Sequence, residues 1–247
     1  MLTSRQDAYG HMVYDHLRGI PSYEIDERDD GMVAWSGGPP DYFAPFPDWP
    51  AHQQQAMAHV HGRVLDIGAG AGRCSLYLQE QGHLVLAVDN SPLAIKTCKQ
   101  RGVKRARVLS ITQVTAKLGT FDTILMLGNN FGLFGSFRRA RWLLRRFRSL
   151  TSPDARIIVE STDPYETTAP EHLAYHRRNL KRGRMAGQIR LRIRFRTYCT
   201  PWFDYLLVSK QEMQQVLDGT EWAVQEYLDS PGPSYLAIIV KQESASP

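Results

Sequence analysis

From residue 63 onward, short apolar runs alternate with stretches of helical periodicity. The first run turns into its helix through Gly68-Ala69-Gly70-Ala71-Gly72. This alternation constrains the fold more than any other feature. Parallel strands need a long crossover between them, and a helix is the usual crossover. The crossovers are expected to be right-handed. Strands are predicted at 64–67, 84–88, 106–109, 121–127, 155–160, 222–228 and 235–240. Helices are predicted at 73–81, after an N-cap at Ser91 with Pro92 in the first turn, over the basic stretch 138–150, and after the capping box Ser209-Lys210-Gln211-Glu212. The fold class read from this order is α/β: a Rossmann-like, seven-stranded, mostly parallel sheet with helices on both faces.

Around that core the chain divides in two. Residues 1–61 read as an N-terminal extension or lid, with a helix over 7–18, an acidic loop over 25–31 and a break at Gly37-Gly38-Pro39-Pro40. The aromatic cluster Tyr42, Phe43, Phe46 and Trp49 then packs onto the core or walls a pocket. Residues 62–247 form the main domain. Within it, 165–208 is an insertion after the fifth strand, on the substrate side, with a strand over 188–197 and a hairpin partner over 202–208. The tail after Lys241 is expected to be frayed. The hydrophobic share of 43% and charged share of 22% are those of a globular domain. No apolar run reaches membrane-spanning length, and the first residues have no apolar core of a secretory signal. Cys74, Cys98 and Cys199 are odd in number and widely spaced, so neither a disulfide framework nor a zinc cluster is expected. These points predict a cytoplasmic protein without a bound metal.

The net charge of +5 is unevenly spread. Residues 138–196 hold 16 basic groups against 5 acidic ones, and 15 of the 16 are Arg. Such a stretch binds polyanions or is simply a solvated surface. Ala140, Leu143, Leu144, Phe147 and Leu150 make a core-facing helical stripe, leaving Arg138, Arg141, Arg145 and Arg148 on other faces. Ile189, Leu191, Ile193 and Phe195 alternate with Arg190, Arg192, Arg194 and Arg196 in a two-faced strand. Its apolar face packs inward or serves as the surface of a homodimer.

The chemistry lies in Val64-Leu65-Asp66-Ile67-Gly68-Ala69-Gly70-Ala71-Gly72-Arg73. Glycines at a strand-to-helix turn let a ligand approach the backbone, and the helix N-terminus offers free N–H groups. Asp89 follows Gly68 by 21 residues at the end of the second strand, where a carboxylate accepts the two hydroxyls of a ribose. The pair reads as a nucleoside-cofactor site. Arg73 stands where a dinucleotide fingerprint has its third glycine, and Asp66 precedes the glycines by two residues. Together these features resemble the class I S-adenosylmethionine-dependent methyltransferases, over about 180 residues. Glu27-Arg28-Asp29-Asp30-Gly31, Gly128-Asn129-Asn130-Phe131-Gly132 and Thr200-Pro201-Trp202-Phe203-Asp204 resemble a bacterial group of small-molecule-type members with no assigned substrate.

The resemblance implies that S-adenosyl-L-methionine is the cofactor and S-adenosyl-L-homocysteine its product. Gly68, Ala69 and Gly70 would pass under the methionine part, with Asp66 orienting the loop. Asp89 would hold the ribose, Asn90 and Ser91 would border the adenine, and Ile111 would pack on it. Leu127 and Asn129 would close the site, with Asn129 near the transferred methyl. The absence of prolines after Asn129 argues against the DNA amino-methyltransferases. His172 and His176, one helical turn apart, join Asn129 as the catalytic candidates. The leading expectation is methyl transfer by in-line displacement to a small molecule. Its alternatives are an RNA methyltransferase that uses the Arg-rich region, a nicotinamide-dependent oxidoreductase, and a non-catalytic binding protein on the same fold.

Overall fold

The computed structural model describes residues 2–242. The tail beyond Gln242 lies outside the described residues. In chain order the elements are α1 (Ala8–Leu17), β1 (Ile25–Arg28), β2 (Val33–Trp35), α2 (Pro39–Phe43), α3 (Ala51–Ala56), β3 (Arg63–Ile67), α4 (Arg73–Glu80), β4 (Leu84–Asp89), α5 (Pro92–Gln100), β5 (Ala106–Val108), β6 (Phe121–Met126), α6 (Phe137–Arg148), β7 (Thr151–Thr162), α7 (Pro170–Lys181), β8 (Gln188–Phe195), β9 (Tyr198–Cys199), β10 (Phe203–Leu206), α8 (Lys210–Leu217), β11 (Trp222–Asp229) and β12 (Ser234–Lys241). Seven strands are ordered β11-β12-β7-β6-β3-β4-β5. The pairs β4/β5 and β6/β7 are parallel, while β12 runs antiparallel to both β7 and β11. The expected α/β, mostly parallel, seven-stranded sheet is therefore present.

The chain falls into two compact units. The first comprises the segments Met1–Trp49, Val64–Val114 and Arg190–Phe203. Its α1 packs on α5 through a shared carboxylate. Asp7 Oδ1 accepts from Gly10 N at 3.1 Å, capping α1, and Asp7 Oδ2 accepts from Leu93 N at 3.0 Å, in the first turn of α5. Ser91 caps α5 itself by accepting from Ala94 N, as its position before Pro92 predicts. A Cβ on Gly10 would collide with Ser91 Oγ and Asp7 Oδ1, which explains a glycine inside a helix. Ala8, Met12, Val13, Ala71, Ala94 and Phe195 form one buried cluster, with Ile193 packed against it. The apolar face of the Arg-laced strand is thus used, in part, within this unit.

The 25–31 segment, expected as a loop, begins with strand β1. It pairs antiparallel with β2 on one side and β8 on the other. Ile-Asp-Glu-Arg has no strand periodicity of its own; the strand exists because Glu27 lies opposite Arg192, far along the chain. Glu27 accepts from Arg192 Nη2 at 2.7 Å and also from Arg194 Nε. Arg196 pairs with Asp15 at 2.8 Å.

The second unit comprises Pro50–Arg63, Thr115–Ile189 and Asp204–Pro247. Ile157, Ile158, Val159, Leu236, Ala237, Ile238 and Ile239 are buried, as continuous apolar runs in covered strands require. The stripe Ala140, Leu143, Leu144 and Phe147 of α6 is buried as predicted. Trp222 donates from Nε1 to Leu144 O at 2.9 Å. The arginines of α6 have defined work too. Arg141 donates to the carbonyls of Gln215, Val216 and Asp218 at the end of α8, and Arg145 to Gly219 O. They satisfy C-terminal carbonyls that α8 leaves open. The box Ser209–Glu212 opens α8, with both reciprocal bonds formed.

The close approach at position 10 yields a sign reversal. Gly→Ala inside a helix normally stabilises by about 1 kcal/mol. Here Gly10→Ala should destabilise by about 1–3 kcal/mol, the range for overpacking, read as a lower denaturant midpoint with unchanged slope. A rise in midpoint would contradict the packing of α1 on α5.

Candidate active site

In the first unit the glycine turn leaves β3 with Gly68 at φ 75°, Gly70 at 55° and Gly72 at 82°. A side chain at any of the three would be strained. Gly68 N and Ala69 N both donate to Val88 O, at 2.9 and 3.1 Å, which ties the turn to the end of β4. Asp89 then closes the arrangement. Its Oδ2 accepts from Gly70 N at 3.0 Å and its Oδ1 from Ser91 N at 2.9 Å. Each carboxylate oxygen keeps acceptor capacity beyond those bonds. Desolvation pushes the Asp89 carboxyl up to about 6, against the pull of the Ser91 and Gly70 amides. A carboxylate with spare acceptor capacity beside exposed Asn90 and a glycine-rich loop fits the diol of a nucleoside.

Asp66 is buried and takes Ser75 Oγ at 2.6 Å, which anchors α4 to β3 beneath the loop. Burial lifts its carboxyl to about 6, despite that bond. Ile111 is buried, at the start of the turn after β5. Two tyrosines of the extension meet here, with ring centroids 5.3 Å apart: Tyr9, which has no sequence signal, and Tyr42 of the aromatic cluster. Tyr9 Oη lies where a Cβ on Gly70 would be. Desolvation, and then the charges of Asp89 and Glu24, push the Tyr9 hydroxyl well up. Tyr42 donates to Glu24 at 2.6 Å. The aromatic cluster of the extension is packing: Phe46 stacks on Tyr77 at 4.0 Å, and Arg73 lies 4.4 Å over buried Trp49.

In the second unit the ends of β6 and β7 carry a separate constellation. Leu127 is buried and Gly128 is exposed. Asn129 sits at φ 60°, a left-handed conformation that Asn tolerates better than most residues. Its Oδ1 accepts from Thr162 Oγ1 at 2.7 Å and its carbonyl from Tyr205 Oη at 2.6 Å. The Tyr205 ring also fills the space a side chain at Gly132 would need. Beside this loop, Glu160 is 4% exposed. It accepts from Gly128 N at 2.6 Å, from Gln53 Nε2 at 2.9 and 3.1 Å, and meets His52 Nε2 at 3.1 Å. Burial raises this carboxyl, but the bonds from His52, Gln53 and Gly128 outweigh it and hold the group below its usual range.

His172 and His176 lie half-buried on α7, with the His176 ring 6.1 Å from Tyr165. The imidazole that meets a buried carboxylate is His52, which the sequence reading passed over. The signal that could have found it is Glu160 itself, a charge closing the apolar run Ile157-Ile158-Val159. Such a charge must be supplied with donors. Among the described residues no group of three or more His, Cys, Asp or Glu is arranged to hold a metal.

Residues 64–154 match a family model described as a methyltransferase domain. A SAM-dependent methyltransferase from Bacteroides fragilis, solved in complex with S-adenosyl-L-homocysteine, aligns at TM-score 0.84 and 26% identity, covering 98% of each chain. The match is to a methyltransferase domain over residues 64–154, on a fold shared along nearly the whole chain with that S-adenosyl-L-homocysteine-bound methyltransferase. The CcbJ methyltransferase of Streptomyces caelestis shares this fold at TM-score 0.66 and 12% identity, over 96% of this chain and 99% of that one. Among curated relatives, a 2-heptyl-1-hydroxyquinolin-4(1H)-one methyltransferase of Mycobacteroides abscessus is 33% identical over 105 residues, 37% of this chain and 46% of the relative. A glycine/sarcosine N-methyltransferase of Halorhodospira halochloris is 30% identical over 104 residues, 40% of this chain and 39% of the relative. The aligned part thus spans less than half the length of either.

The carboxylates of the first unit set a pH dependence. Asp66 and Asp89 are held near 6, and burial with repulsion from Glu24 lifts Asp26 to about 7. All three exceed the usual carboxylate value of about 4. Between about pH 4 and 7 the folded ligand-free protein therefore binds more protons than the unfolded chain, and stability falls as pH rises. Glu27, held near 2 by Arg192 and Arg194, acts oppositely and only in acid. The urea midpoint of the ligand-free protein should be higher at pH 5.5 than at pH 7.5. Equal midpoints would show that these carboxyls titrate normally.

Proposed function

We propose that this chain transfers the sulfonium methyl of S-adenosylmethionine to a small-molecule acceptor. The observation that carries the reading is the Asp89–Gly70 cradle: a desolvated carboxylate tied to a glycine-rich loop at the carboxyl end of a parallel strand, the usual ligand end of such sheets. Asp89 would hold the ribose hydroxyls, Gly68, Ala69 and Gly70 would pass under the methionine part, and Asn90, Ser91 and Ile111 would border the adenine. When bound, the cofactor supplies an activated methyl and leaves as the homocysteine thioether. What remains for the chain's own residues is alignment, exclusion of water and handling of a proton. Asn129, fixed from both sides by Thr162 and Tyr205, is a positioning group. The extension acts as a lid of the cofactor loop, a role supported by Tyr9 against Gly70 and by the Asp7 bond to α5.

Two points favour a small acceptor over RNA. The curated relatives are named for a hydroxyquinolone and for glycine and sarcosine. Five of the arginines that suggested a polyanion surface are engaged within the chain: Arg192 and Arg194 on Glu27, Arg196 on Asp15, and Arg141 and Arg145 on the end of α8. Among the described residues, no helix is long and apolar enough to cross a membrane.

Calorimetric titration tests the reading. S-adenosylmethionine and S-adenosylhomocysteine should bind and NADH should not; the reverse pattern would overturn it. Asp89→Asn should weaken S-adenosylhomocysteine about 10- to 100-fold, the loss of one charge-assisted bond of roughly 1.5–3 kcal/mol. Gly70→Val should abolish binding, because Gly70 is at positive φ and faces Tyr9. Wild-type affinity in either variant would remove that residue from the site.

A further inference from the structure

Helix α7 is fixed by one face and open on the other. Tyr175 and Asn179, four residues apart, are buried. Asn179 Nδ2 donates to Ala186 O at 3.0 Å and to Gln188 O at 2.8 Å, which ties the helix to the start of β8. The opposite face meets solvent. Leu173 is 36% exposed there and Leu180 57%. Seven residues apart, they lie on one side of the helix. Arg177 follows Leu173 by four residues and Lys181 follows Arg177 by four, so both cations share that side; Arg182 is the C-cap. Tyr165 is 50% exposed, and its ring lies 6.1 Å from that of His176. His176 is three residues from Leu173 and four from Leu180, so the phenol stands at the margin of the leucine strip.

A single exposed leucine needs no explanation. What distinguishes this face is leucines set beside cations that nothing neutralises. From 171 to 184 the sequence has five basic residues and one acid, Glu171. The exposed side chains of Arg177, Lys181 and Arg182 make no hydrogen bond or ion pair among the described residues. The arginines of α6 and β8 differ, being held by carbonyls and carboxylates.

This combination selects its partner. A protein must match individual groups in position, whereas a lipid surface need not. RNA offers negative charge but no apolar phase for the leucines. At a bilayer surface leucines enter the acyl boundary, while the long stems of Arg and Lys carry their charges to the headgroups. We propose that α7 docks this chain peripherally on an anionic lipid bilayer, with Leu173 and Leu180 in the headgroup–acyl boundary and Arg177, Lys181 and Arg182 on lipid phosphates. The helix lies on the surface, since its 12 residues are too few to span a bilayer. Docking of this kind does not depend on the methyl-transfer reading.

The test is flotation of the full-length chain with vesicles of phosphatidylcholine, alone or with one-third phosphatidylglycerol, in low and high salt. Each cation near an anionic surface is worth about fivefold in partitioning. The three together predict about 100-fold tighter binding to the anionic vesicles, most of it lost in high salt. Arg177→Gln/Lys181→Gln/Arg182→Gln should bind them little better than neutral vesicles. Leu173→Gln/Leu180→Gln keeps every charge and should bind about tenfold less tightly or worse. All five positions face solvent and Gln is a good helix former, so the variants should fold, with an unchanged thermal midpoint as the check. Lys104→Gln/Arg105→Gln/Arg107→Gln removes the same charge from exposed positions elsewhere and should keep wild-type partitioning. An equal loss in that control would mean that net charge alone drives binding, and overturns the proposal. So does failure of the wild type to float, or wild-type binding by the leucine variant. Tighter binding to a single-stranded RNA, unaffected by the leucine substitutions, overturns it in favour of a nucleic-acid face.

Discussion

A carboxylate at the end of a strand, taken out of bulk water, must collect donors from whatever chain surrounds it. That requirement organises every functional loop described for this protein. Asp66 closes β3 and collects Ser75 from α4. Asp89 closes β4 and collects the amides of Gly70 and Ser91, which shapes the glycine turn and starts the approach to α5. Glu160, near the end of β7, collects Gly128, His52 and Gln53. The strands supply fixed points, and the carboxylates turn these points into loop geometry. The balance differs: burial pushes Asp89 up against the pull of the Ser91, Gly70 and Asn90 amides, whereas His52, Gln53 and Gly128 outweigh burial at Glu160 and hold it down.

How much of this was legible beforehand depends on whether the determining partner is near in sequence. The glycine turn, the Ser91 cap before Pro92, the Ser209–Glu212 box and the buried stripe of α6 are set by residues within a turn or two. All are visible as patterns, and so is the succession of strands and helices. Strand β1 was not visible, because its partner β8 lies far along the chain and Ile25–Arg28 has no strand pattern to show. His52 was invisible for the same reason: it is 108 residues from Glu160, in a short helix of otherwise unremarkable composition. The His172–His176 spacing was legible but describes a half-exposed helix face. Spacing reports shared faces, and burial with a partner reports chemistry.

The arginine-rich stretch shows how a formal charge count can mislead. Guanidinium groups with several donors in a rigid fork suit backbone carbonyls as well as they suit phosphates. On α6 they cap another helix, and on β8 they are compensated by acids from the N-terminal segment. The acidic start and the basic middle of the sequence look like opposed regions; within the first unit they are partners in one ladder.

The Asp7 carboxylate couples two helix ends that are 86 residues apart. Asp7 caps α1 and moves with it, so α1 cannot lift away from α5 without baring the Leu93 amide. Local opening events in proteins follow such shared bonds rather than chain order. In exchange with heavy water, the Leu93 amide therefore opens when α1 leaves α5, even though it belongs to a different helix. The N-terminal segment, which looks like an appendage when the chain is read from its beginning, belongs by that measure to the same folding unit as α5 and the glycine turn against which Tyr9 lies.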